Sequence, residues 1–71
     1  MGDIVRNLRK KLGLTQEKLG LKIHASQSYI SRIECGYIDT LTIQKLRKLS
    51  KVFSMESWEL LKILEKNRAK Y

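Results

Sequence analysis

The chain has 71 residues, with 15 Lys and Arg against 7 Asp and Glu, one cysteine and one histidine. A net charge of +8 on so small a protein biases it toward a polyanion, either nucleic acid or an anionic membrane face. Cys35 and His24 alone exclude an internal disulfide and a zinc site, which needs three or four ligands, and no cofactor signature is present.

No apolar run approaches the ~18 residues of a membrane span, and the N-terminus lacks a secretory pattern. The expectation is one reduced, soluble, cytoplasmic domain without a membrane partner or an evident small-molecule ligand. A chain of this size buries only around 60% of its unfolded surface, so it leans on tight helix packing or oligomerisation. Zero Pro and only 4 Gly, with abundant Leu, Ile and Lys, predict an all-α fold.

The first predicted helix runs from about Asp3, a suitable N-cap, to Leu12. Val5, Leu8 and Leu12 share one face with Ile4 beside them, and Arg6, Arg9, Lys10 and Lys11 take the other faces. Gly13 supplies the left-handed residue that ends it, and Leu14 packs across the junction. Thr15 caps a second helix, Gln16–Ile23, with Leu19 and Ile23 spaced i, i+4. Gly20 inside it costs about 1 kcal/mol relative to Ala, which is tolerated where another backbone, here helix 3, comes close.

A tight turn at His24 and Ala25 leads to Ser26, the cap of a third helix, Gln27–Cys35, whose apolar residues are Ile30 and Ile33. Gly36 closes it. Helices this short are marginal alone and stand only stripe against stripe. Two such helices across a tight turn make a helix-turn-helix, whose second helix is free to enter a DNA major groove. Its outward residues Gln27, Ser28, Ser31 and Arg32 are of types that contact nucleic acid.

Residues Tyr37 to Leu41 form a loop, and Thr40 or Thr42 caps a fourth helix that continues to about Phe53. Ile43, Leu46, Leu49 and Phe53 make its stripe, with Lys45, Arg47, Lys48 and Lys51 on the other faces. Ser54 marks a break and a candidate cap. A fifth helix runs from Met55 or Glu56 to Lys66, with Trp58, Leu61 and Leu64 or Ile63 on one side. With Leu60, these exceed what one buried stripe requires, which points to a partner surface. Residues 1–66 are thus read as one domain and residues 67–71 as a basic tail expected to fray.

Leu14-Thr15-Gln16-Glu17-Lys18-Leu19, followed by Ile30-Ser31-Arg32-Ile33-Glu34 and Gly36, resembles the Cro/phage-repressor (XRE-type) helix-turn-helix family. The resemblance extends through Leu46, Leu49 and Phe53 and covers about residues 4–61. It implies a five-helix domain that binds operator DNA, usually as a homodimer, and regulates transcription. It also implies that Gln16 contacts the DNA backbone and braces the first recognition residue, and that Gln27, Ser28 and Arg32 face base edges. Tyr29 and Ser31 then touch phosphate or a thymine methyl. Three positions depart from the family pattern: Gly20 stands for the usual Ala, His24 for the turn Gly, and Cys35 for an Asn.

Arg32 suits guanine O6 and N7, and Gln27 suits adenine N6 and N7, each by paired hydrogen bonds. Glu34 reads as structural, an intramolecular partner for an Arg or Lys. Lys18 and Tyr37 are candidate phosphate donors, whereas Lys10, Lys11 and Lys22 read individually as solvated side chains. Cys35 reads as a small, partly buried filler. Trp58, Leu61 and Leu64 make the candidate dimer interface, which would set two recognition helices about one DNA turn apart. The leading expectation is a non-enzymatic, homodimeric, double-stranded-DNA-binding transcriptional regulator on a palindromic operator, of the Cro-like repressor or restriction–modification controller type. The alternative is a helical protein-interaction module, such as the antitoxin half of a toxin–antitoxin pair. No acid/base pair, nucleophile or glycine-rich phosphate loop suggests an enzyme.

Overall fold

The computed structural model describes residues 3–66 and residue 68, with Asp3 as backbone only. Among them lie α1 (Asp3–Lys11), α2 (Gln16–Ile23), α3 (Gln27–Glu34), α4 (Ile43–Val52) and α5 (Ser57–Lys66), and no strand. The all-α expectation is met. The cap expected from the Asp3 side chain lies outside the described residues. So does the tail at 67–71, except Arg68, which pairs with Asp39 at 3.6 Å and Glu65 at 3.7 Å.

Short polar side chains start three of the helices. Thr15 accepts from the Lys18 amide, Ser26 from the Tyr29 amide and Thr42 from the Lys45 amide, so Thr42 rather than Thr40 caps α4. Each satisfies one amide that the first helical turn leaves unpaired. Gly13 (φ 70°) and Gly36 (φ 91°) reverse the chain after α1 and α3. His24 takes the left-handed conformation at the end of α2 (φ 58°, ψ 46°), in the place where the family pattern has glycine. Ser54 is also left-handed (φ 56°) and ends α4 rather than starting α5. At the start of α5, the Glu59 carboxylate instead turns back to accept from the Glu56 amide at 3.1 Å.

The helices pack α1 on α3, α2 on α3 and α4, and α4 on α5. The buried apolar core is Val5, Leu19, Ile23, Ile30, Ile33, Leu46, Leu49, Leu60 and Leu64. Several expected faces turn out rotated. Arg9, not Leu12, completes the inner side of α1: Arg9 is 9% exposed and Leu12 50%. Ile43 begins α4 at 69% exposure, one turn too early to reach the core. On α5 the core residues are Leu60 and Leu64, while Trp58 (66%) and Leu61 (40%) face outward.

Gly20 meets the turn backbone and not helix α3 itself. A Cβ there would lie 2.5 Å from the carbonyl oxygen of Ala25. The amide of Ala25 also donates to the Gly20 carbonyl at 2.8 Å, so the turn folds directly onto the helix it leaves. Lys45, expected on an outer face of α4, reaches back to the end of α2. Its ammonium donates to the carbonyls of Ile23 at 3.1 Å and His24 at 2.7 Å. A cation there satisfies carbonyls that the helix leaves open and complements the negative end of its dipole.

Candidate nucleic-acid interface

Helix α3 has two unlike sides. Ile30, Ile33 and Glu34 are buried, while Gln27, Ser28 and Arg32 are exposed and Ser31 is half-buried between them. The separation follows from the helical period: residues 30, 33 and 34 share one face, leaving 27, 28, 31 and 32 on the other. Gln16, from the start of α2, joins Gln27, Ser28, Ser31 and Arg32 around one shallow open cleft of about 560 Å³. The structure therefore brings together four of the α3 residues singled out above with the α2 residue expected to brace them.

The cleft is held from beneath by Glu34. This carboxylate is 1% exposed, yet it carries the partners that burial of a charge requires. Arg9 donates to it through Nε and Nη2, Arg6 through Nε at 3.4 Å, and Gln16 through Nε2 at 3.0 Å. Arg9 also donates to the carbonyl of Leu14 at 2.7 Å, tying α3 to the α1–α2 junction. Burial alone raises the carboxyl's pKa. The hydrogen bonds and charge of Arg9, with those of Gln16 and Arg6, outweigh it and hold the group below its ordinary value.

Glu34 has the intramolecular cation partner expected of it, but Arg9, expected on a face of α1 away from the apolar stripe, is buried beside it. Nothing within α1 signals this, because the partner lies 25 residues away on α3. Beyond the carboxylate, Gln27 donates through Nε2 to Gln16 Oε1 at 3.4 Å.

The remaining candidates are scattered. The Arg32 guanidinium sits 5.6 Å from the centroid of the Tyr37 ring, a cation–π arrangement at the end of α3. Tyr29 is half-buried, and its hydroxyl donates to the Thr40 carbonyl at 3.3 Å. That bond ties Tyr29 to the loop before α4. Burial pushes its phenol pKa up, against the opposing effect of the Thr42 backbone. Lys18 is exposed on α2.

Cys35 is exposed at the end of α3 and not a buried filler. Trp58 and Leu61 lie on the outer side of α5, whereas Leu64 is 2% exposed and belongs to the core, where it cannot meet a partner. Among the described residues no cluster of His, Cys, Asp and Glu could hold a metal ion, and no helix is long and apolar enough to cross a membrane.

The helix-turn-helix family profile matches residues 5–64. The HTH-type transcriptional regulator SlrR of Bacillus subtilis (strain 168) is 35% identical over 60 residues. Those residues are 84% of this chain and 40% of the relative, so the chain spans less than half the length of the curated protein it matches. No solved structure matches the chain.

Proposed function

The chain belongs to the Cro/phage-repressor (XRE-type) helix-turn-helix family, and from that membership we propose that it is a sequence-specific, double-stranded-DNA-binding transcriptional regulator. The observation that carries this reading is the cleft at the front of α3. An exposed row of amide, hydroxyl and guanidinium groups stands clear of the core on a chain of net charge +8. Gln27, Ser28 and Arg32 read base edges, while Gln16, Lys18, Ser31 and Tyr37 set the protein on the phosphate backbone.

The regulator acts as a homodimer on a palindromic operator. The described molecule measures 28 Å along its longest axis, less than the ~34 Å between successive major grooves on one side of DNA. One copy therefore reads one half-site, and a second copy supplies the other. Trp58 and Leu61 are the large apolar side chains that α5 leaves exposed to pair them.

Selection of bound sites from a random duplex pool tests the reading. The expected product is an inverted repeat whose half-sites are about 10 base pairs apart. Affinity for it falls with salt by about 0.9 log units per log unit of salt for each phosphate neutralised. A pool that emerges with no enriched sequence, or binding indifferent to salt, overturns the proposal.

A further inference from the structure

Glu34 is ionised, so toward every neighbour it can only accept hydrogen bonds. Gln16 meets its Oε1 at 3.0 Å and must present Nε2 there. The Gln16 carbonyl oxygen is thereby turned the other way, toward Gln27 at 3.4 Å. Facing an acceptor, Gln27 must also present Nε2, with its own carbonyl oxygen directed away from Gln16. An isolated surface glutamine turns its amide either way at little cost. These two have their direction dictated from inside the protein, by a group that Arg6 and Arg9 keep charged and in place.

The order of donor and acceptor matters in the major groove. Adenine shows its N7 acceptor beside its N6 donor, and exchanging A·T for T·A reverses that order across the groove. Gln27 retains one N–H and its carbonyl oxygen for a base, in an order set by Gln16. Resting on the reading that Gln27 faces a base edge, we infer that Glu34 is a positioning residue for sequence recognition. Through Gln16 it fixes which way round the Gln27 amide is offered, and hence on which strand adenine is preferred at that base pair. Arg32 and Ser28 make no hydrogen bond within this chain of groups and are independent of it.

The test compares base preferences, position by position, for the full chain and three variants by selection from a random duplex pool. Gln27→Ala first identifies the base pair concerned. The unsubstituted chain is expected to prefer adenine on one strand of that pair over the reversed pair by about tenfold. Glu34→Gln offers Gln16 either a donor or an acceptor, and Gln16→Met removes the link. Both bring the ratio to within about twofold, with preferences at the Arg32 and Ser28 positions unchanged.

Should Glu34→Gln fail to fold by circular dichroism, Gln16→Met still decides, because it leaves Arg6 and Arg9 on the carboxylate. An unchanged ratio in Gln16→Met, or an equal loss of preference at every position, overturns the inference and leaves base reading by Gln27 standing. No altered base pair in Gln27→Ala overturns both.

Discussion

Arg32 and Lys18 are both exposed cations on the helix-turn-helix, but their settings differ, and so do the roles proposed for them. Arg32 is steadied over the Tyr37 ring and opens onto the cleft, whereas Lys18 stands on α2 outside it. Replacing Arg32 by Ala is expected to cost about 1–3 kcal/mol on the preferred operator and to relax preference at one base pair per half-site. Replacing Lys18 by Ala should weaken all duplexes alike and lower the salt slope by about 0.9. Fluorescence anisotropy on matched and single-substituted operators distinguishes the two. Glu34 makes a different prediction, through pH. Its folded pKa lies below the ordinary glutamate value of about 4.3, so its contribution to stability is complete above that value. The contribution disappears as pH falls through the lower, folded value. Urea titrations below about pH 4.3 should show stability dropping in the native chain, with a shallower drop in Glu34→Gln.

Each helix of the motif is too short to persist alone, and its ends carry much of what holds it. Helix α3 is capped by Ser26 at one end and closed by Gly36 at the other. Helix α2 begins at Thr15 and is finished by a side chain from elsewhere in the fold, the Lys45 ammonium. Ser26→Ala should cost about 1 kcal/mol of stability, the usual worth of a cap. Lys45→Met keeps the side chain's apolar stem and removes its charge, and should likewise cost about 1 kcal/mol. Chemical denaturation measures both. The Lys45 change should also loosen the α2–α3 turn, visible as faster hydrogen exchange at the Ala25 amide, which bonds to Gly20. That turn sets how far α3 projects, because Gly20 lets the Ala25 carbonyl come close.

At the scale of the whole molecule, α5 is the helix that leaves two large apolar side chains exposed on the face proposed for pairing. Trp58 and Leu61 stand outward while Leu60 and Leu64 of the same helix fill the core. Leu61→Glu places a charge on the proposed pairing face without touching the core. Sedimentation equilibrium should then report a monomer, against the dimer proposed for the native chain. Operator affinity should fall by at least about tenfold, because two half-sites no longer bind as a unit. Leu64→Glu, by contrast, buries a charge in the core and should unfold the chain. The contrast between these two neighbouring leucines tests the orientation of α5 directly.

The five helices, the caps at Thr15 and Ser26, the left-handed Gly13 and Gly36, and the exposed row Gln27, Ser28 and Arg32 were all legible in the order of residues. Each depends on neighbours within a turn or two, where period and cap chemistry act locally. The pairing of Arg9 with Glu34, 25 residues apart, was not legible. Neither were the reach of Lys45 to the end of α2, the loop tie of Tyr29, or the outward turn of Ile43 and Trp58. A helical period says which side chains share a face, but the placement of the other helices decides which face is covered. For this chain the sequence alone determined the elements and the polar groups exposed along α3. Only packing decided which charges went inside to hold those groups in position.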